Sequence, residues 1–233
     1  HSFPTRRSSD LAINKGFAYM KEHDSDMWEI PYLPIDPADV GRQYEPIIRI
    51  NSQSGKGGAA FIMQNNFGYN LPKKMHPEFG ALVQKVCDDE GRELTPKEVF
   101  KVFEDNYIDI HKRYSLLGHT VLENHGNDIM YFRGKLRISD GSASEQIIEG
   151  NGNGPIDAFC NAIKEICVTG YEVIDYTEHA ISSGSDSKAV AYIGLKTPEG
   201  KTIYGVGIHT NIFKASIKAV LCAINRDIIQ KKA

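Results

Sequence analysis

Met130-Tyr-Phe-Arg-Gly-Lys-Leu-Arg-Ile138 is the stretch that decides the fold. Apolar Met130, Phe132, Leu136 and Ile138 alternate with charged Arg133, Lys135 and Arg137. A period of two belongs to a strand in a sheet with one packed face and one wet face. Turn residues bracket the run, His125-Gly-Asn-Asp128 before it and Ser139-Asp-Gly-Ser142 after it, which makes it the middle of three strands. The first begins near His111 and the third ends at Gly150-Asn-Gly-Asn-Gly154. Pro155 then opens a helix carrying Phe159, Ala162, Ile163 and Ile166.

The pattern repeats downstream. Tyr171–Ser182 reads as a strand, Ser183-Gly-Ser-Asp186 as a turn, Ala189–Leu195 as a strand and Pro198-Glu-Gly200 as a second turn. Ile203–Ile208 is a third strand, and Phe213, Ile217, Val220, Leu221, Ile224 and Ile228 form the apolar stripe of a closing helix. Gly150-x-Gly152 and Gly205-x-Gly207 hold the same place in the two halves. The spacing predicts two βββα units, 111–169 and 170–233, related by an internal duplication. Each has one apolar sheet face and one amphipathic helix, so the two are expected to pack together or against a partner chain.

Upstream the period is helical. Phe79, Leu82, Val83, Val86 and Cys87 share one face of a helix from Pro77 that stops at Gly91. Thr95-Pro-Lys-Glu98 is a capping box opening a second helix with Val99, Phe100, Phe103 and Tyr107 on its apolar face. Ser52 or Ser54 is expected to cap a helix through Ala59–Gln64, after a short strand in 43–52. Ala12–Glu22 reads as a helix tail, followed by a spacer in which Pro31, Pro34 and Pro37 fix φ and stiffen the chain. The fold class is therefore α+β: linker pieces 12–52 and 53–110, the second helical, then a duplicated βββα domain over 111–233. His1–Leu11 has neither a signal-peptide core nor helical periodicity, reads as a translated adapter remnant, and is set aside.

With 233 residues, 41% hydrophobic, 24% charged and a net charge of −3, the composition is that of a soluble globular protein. It lacks the clustered Lys and Arg of a nucleic-acid or membrane surface. Cys87, Cys160, Cys167 and Cys222 form no Cys-x-x-Cys pair and fall on apolar helix faces, which reads as core thiols in a reducing, cytoplasmic setting. The eight histidines show no metal-ligand spacing. Ser54-Gly-Lys-Gly57 is no P-loop, because Ile50 and Gly57 stand where Gly and Ser or Thr are required.

Two places invite a ligand. At Gly150–Asp157 the glycines let backbone approach closely, and N–H groups at a helix start suit a carboxylate; a tight turn without ligand is the alternative. On the next strand Tyr176, Glu178 and Ala180 share one face, with Asp175, Thr177 and His179 on the other. That face reads either as a pocket wall or as core packing. Spacing alone supports no complete active site.

Ala12-Ile-Asn-Lys-Gly16, the Trp28–Arg42 spacer, Asn51–Gly58, Gly152-Asn-Gly-Pro155, Asp175-Tyr-x-Glu-His179 and Tyr204-Gly-Val-Gly207 together resemble the 2-isopropylmalate synthase family. The resemblance runs from Ala12 to Asp227 and lies in the part after the catalytic barrel, which is absent here. It implies an acyltransferase whose whole form condenses acetyl-CoA with 2-oxoisovalerate using a divalent metal (Mg, Mn or Zn), with none expected in this part. It also implies a C-terminal domain that forms a homodimer and binds leucine as feedback inhibitor. Carried over by position, Tyr32 matches a tyrosine with a catalytic role, projected towards the partner subunit's barrel. Gly152, Gly154, Ile156, Tyr176 and Ala180 match positions around the leucine pocket. A catalytic histidine usually stands where Ser9 stands, so the pattern is broken there. Citramalate synthase has a similar regulatory domain that answers to isoleucine, but the long spacer favours the leucine enzyme. A stand-alone amino-acid-sensing module is the reading from another class.

Overall fold

The computed structural model describes residues 6–23, 27–41, 57–124, 129–164, 166, 170–181 and 187–232. The chain divides into two compact parts, His1–Ile48 and Arg49–Ala233.

In the first part, helix α1 spans Arg6–His23, so it reaches back into the stretch set aside from sequence. No Pro or Gly interrupts Arg6–Lys15, and nothing local stops the helix earlier. Ile13 and Ile30 are buried, and Phe17 meets Trp28 edge to face at 5.8 Å. Gly16 is required by contact: a Cβ there would stand 3.0 Å from Pro31 Cδ. Asp36 caps a short 3-10 turn, Pro37–Val40, through its Oδ1 and the Ala38 N–H at 2.9 Å.

The second part opens with helices α2 (Gly58–Phe67), α3 (His76–Glu90) and α4 (Pro96–Tyr107). Gly57 precedes α2 with no side-chain cap, correcting the expected serine; Ser52, Ser54 and the expected strand 43–52 lie outside the described residues. α3 ends on Gly91 at φ +64°, and α4 begins with both hydrogen bonds of the Thr95/Glu98 capping box. Phe79, Phe103 and Tyr107 stack and edge against one another at 5.4–5.9 Å and join α3 to α4, while Phe67 at the end of α2 stacks on Phe100 of α4 at 4.6 Å.

Two antiparallel three-stranded sheets follow. β1 (Tyr114–Asn124), β2 (Ile129–Asp140) and β3 (Ser142–Gly152) form the first, closed by α5 (Pro155–Lys164). β4 (Glu172–Ala180), β5 (Ala189–Lys196) and β6 (Thr202–His209) form the second, closed by α6 (Ile212–Lys232). The duplication extends to detail. Each first strand bulges near its start, at Leu116/Gly118 in β1 and at Val173/Asp175 in β4. The β2–β3 turn is tighter than expected, with Gly141 alone at φ +79° between the strands. The turn expected at 125–128, and that at 183–186, lie outside the described residues.

One core joins the halves. Phe132, Leu136 and Ile148 of the first sheet and Phe159 and Ile163 of α5 pack with Ile193, Leu195 and Ile203 of the second sheet and Ile217, Val220 and Ile224 of α6. The expectation of one wet face per sheet fails for the second. β5 and β6 are buried on both faces because the helical group covers the side turned from α6. Asn70 N–H donates to His179 Nε2 at 3.1 Å, the same nitrogen meets Tyr192 Oη at 3.1 Å, and Ile108 bridges Val206.

Candidate functional site

The glycine corners explain how strands and helices approach. A Cβ on Gly150 would stand 2.4 Å from Ala162 N, and one on Gly152 2.3 Å from Ala158 N. In the second half a Cβ on Gly205 would stand 2.1 Å from Ala219 O, and one on Gly207 2.0 Å from Ala215 O. Glycine on the strand against alanine at every fourth helix position lets backbone touch backbone. The α5 corner is also satisfied internally. Asp157 Oδ2 accepts from the Asn153 N–H at 3.0 Å, and Asn161 Nδ2 donates to Asn151 O at 2.8 Å.

Beside that corner, between α5, β4 and α6, lies a cleft of about 480 Å³. Its floor is aliphatic: Ile156 and Ile163 from α5, Leu195 from β5, Val220 and Ile224 from α6. Tyr171, just before β4, with Val173 and Tyr176 on it, supplies another wall, and Asp157, Lys164 and Glu172 bring both signs of charge to the cleft. An apolar floor with a few convergent polar groups is the usual build of a small-molecule site. Tyr176 Oη lies 3.1 Å from Ser216 Oγ and also donates to the Glu178 carboxylate. Burial, then that carboxylate, raises the phenol above its ordinary range. Cys160 also lines the cleft; burial, with Asp157 adding, pushes its thiol up to about 11, so it stays a protonated, apolar wall.

The residues marked from sequence are therefore divided. Ile156 and Tyr176 meet in the cleft. Gly152 faces the first turn of α5, and Gly154 stands with open space around its Cα. Ala180 is exposed at the far end of β4, paired with Ala189, four residues and about 13 Å of strand from Tyr176. Sequence reasoning missed Lys164, Tyr171, Glu172 and the α6 residues. The signal was present in the helical spacing of Ile156, Cys160, Ile163 and Lys164, a stripe that borders the one facing the sheet and shares Ile163 with it.

Tyr32 belongs to the first part. The Leu33 N–H donates to Ile30 O at 3.2 Å, closing a turn with Pro31 and then Tyr32 at its centre. Tyr32 has φ +64°, a position that favours glycine. Holding tyrosine there costs about 1 kcal/mol or more. Trp28 Nε1–H donates to Leu33 O at 2.7 Å and fixes the turn, while Tyr32 itself is 61% exposed. Among the described residues no three His, Cys, Asp or Glu side chains come together as a group that could hold a metal ion. No helix among them is long and apolar enough to cross a membrane.

A duplicated βββα domain with a cleft between its halves matches the family model described as LeuA allosteric (dimerisation) domain over residues 93–228, and the chain belongs to that family. A second model, alpha-isopropylmalate synthase, post-catalytic domain-like, matches residues 7–64. The relatives carry a specific name. The chain is 44% identical to the 2-isopropylmalate synthase of Clostridium acetobutylicum over 220 residues, covering 92% of this chain and 38% of that protein. It is 44% identical to the Rhizobium meliloti 2-isopropylmalate synthase over 226 residues, 94% and 39% of the two chains. For that of Pseudomonas entomophila the identity is 39% over 222 residues, 95% and 38% of the two chains. The chain thus spans under two fifths of the length of these relatives.

Proposed function

We propose that this chain is the regulatory part of a cytoplasmic 2-isopropylmalate synthase, an acyltransferase of leucine biosynthesis, and that it binds leucine and pairs with a second copy. The observation that carries the reading is the cleft, an aliphatic slot between duplicated halves in a chain that belongs to an allosteric and dimerisation family. Leucine's isobutyl group fits the floor against Ile156 and Tyr176, and its two charges find opposite partners in Lys164 and in Asp157 or Glu172. The carboxylate does not sit on the Asn153 N–H, because Asp157 already occupies it. Gly152 acts by setting the seat of α5, Gly154 by leaving the corner open, and Ala180 only through a partner subunit.

On this reading residues 12–52 and 53–110 link the regulatory domain, 111–233, to a catalytic barrel that holds the divalent metal. There acetyl-CoA and 2-oxoisovalerate join when a base forms the enolate that attacks the ketone. Tyr32, exposed on a stiffened turn in a backbone state tyrosine disfavours, is built to reach beyond its own compact part. Inhibition follows when leucine prefers one arrangement of linker and sensor over another.

Titration calorimetry of the chain with leucine tests the reading. Saturable heat is expected, weakened about tenfold or more by Lys164→Ala. No leucine heat from a folded protein would sink it. Tyr32→Phe is expected to leave leucine binding unchanged while lowering turnover in a synthase that carries the barrel.

A further inference from the structure

We propose that one turn of α6, Asn225-Arg226-Asp227, carries occupancy of the cleft to the α2–α4 helical group, with Arg226 as the positioning residue between them. The inference rests on the amino-acid-binding reading above and states how that site is read elsewhere in the chain.

Three consecutive polar residues in mid-helix are buried, at 0%, 6% and 3% exposure. Successive helix positions point about 100° apart, so the three side chains leave α6 in three directions. Each reaches a different structure. The Asp227 carboxylate accepts from Tyr171 Oη at 2.5 Å, and Tyr171 is a wall of the cleft. Arg226 pairs with Glu78 of α3 at 2.7 Å, donates to Tyr204 O on β6, and lays its guanidinium 3.8 Å from the ring centre of Tyr107 on α4. Asn225 accepts from the N–H groups of Arg113 and Tyr114 at 3.0 and 2.9 Å, and donates to Ile110 O and Tyr114 O at 2.8 and 2.9 Å. It thereby clamps the segment through which α4 leads into β1. The same helix sends Val220 and Ile224 to the cleft floor.

A buried guanidinium is a costly way to join helices. Apolar residues of equal volume would hold them as well, and removing one partner strands a charge. What the charged contact adds is dependence on geometry. When a ligand seats against Tyr171, Val220 and Ile224 and shifts α6, Glu78 and Tyr107 must follow or their bonds to Arg226 weaken. Coupling of this kind needs a ligand that favours one placement of α6, and its usual size is about 5–150-fold in affinity.

Hydrogen exchange of the chain with and without saturating leucine, beside calorimetry on the same samples, tests the proposal. In the parent protein leucine is expected to slow exchange in α5 and β4 and also in α3 and α4. Glu78→Gln keeps the size and shape of a side chain at the edge of the core but takes away the countercharge of Arg226, so its fold is checked by circular dichroism and a thermal melt on the same sample. Its leucine affinity is expected to stay within about twofold of the parent, while the slowing in α3 and α4 falls by about fivefold and that in α5 and β4 persists. Arg226→Met is expected to behave in the same way. Equal α3 and α4 responses in parent and Glu78→Gln would overturn the proposal, as would leucine heat with silent α3 and α4 in the parent. Absence of heat brings down the binding reading first and this inference with it.

Discussion

The two βββα units share strand order, a bulge at the start of the first strand and a Gly-x-Gly edge against helix alanines, yet they live in different surroundings. On the outer face of the first sheet Arg133 pairs with Glu149 at 3.1 Å and Lys135 with Glu145 at 2.5 Å, all of them exposed. The corresponding face of the second sheet holds Val190, Tyr192, Tyr204 and Val206, buried under α2–α4. Helix α5 is covered mainly on one side, whereas α6 is buried almost all round from Ala215 to Asp227. A duplication thus preserves what backbone contact demands. Everything facing outward is free to adapt to what lies beyond it.

The sharpest way to break this comparison is a methyl group at each corner. Gly207→Ala is expected to abolish folding or cost more than about 3 kcal/mol, because α6 has no room to retreat. Gly152→Ala should cost less, about 1–3 kcal/mol, since α5 can shift towards the cleft, and Gly154→Ala should fall within about 0.5 kcal/mol. Urea denaturation ranks the three; equal damage at Gly152 and Gly207 would mean the helices are equally confined. The outer faces give the next contrast. Tyr192→Ala, at the buried face, should cost about 3 kcal/mol in the same assay, against about 0.5 kcal/mol or less for Lys135→Ala at the wet one. Comparable losses would erase the distinction.

The helical cover itself can be loosened. Thr95→Ala removes the cap of α4 and is expected to cost about 1 kcal/mol, read as a lowered thermal midpoint. The smallest effect is a pH dependence at the same cap. Hydrogen bonds from Arg92 and then from the Thr95 backbone lower the Glu98 carboxyl from 4.5 to about 2. A depressed acid stabilises the folded state above its unfolded value and loses that contribution as protons return. Stability from Glu98 is therefore complete above pH 4.5 and fades towards pH 2, and Glu98→Gln should flatten the parent's acid limb over that window.

Local signals carried much of this structure. The capping box at Thr95, the stop at Gly91 and the alternation in 130–138 each act within a few residues, so the chain displays them openly. The dry outer face of the second sheet was also written down, as the near-continuous apolar run Ala189–Leu195, which marks burial on both sides. Expecting the second half to copy the first concealed it. The glycine corner was misleading in another way: its chemistry suits a ligand, but the alanines that fill it lie on the following helix, at Ala158 and Ala162. Arg226 was beyond reach. A charged residue in mid-helix reads as solvent-facing until Glu78, 148 positions away, is brought against it.

The first strand of each sheet, β1 in one and β4 in the other, has one free edge, and each carries its bulge close to the start, with the apolar Leu117 and Ile174 standing exposed there. A straight edge strand is a template on which further chains can polymerise without limit. An extra residue breaks the spacing of donors and acceptors, so a second strand cannot zip along the whole border. Carrying that interruption on β1 and β4, two of the four sheet borders, the protein spoils those edges as templates while its faces remain available for a closed association.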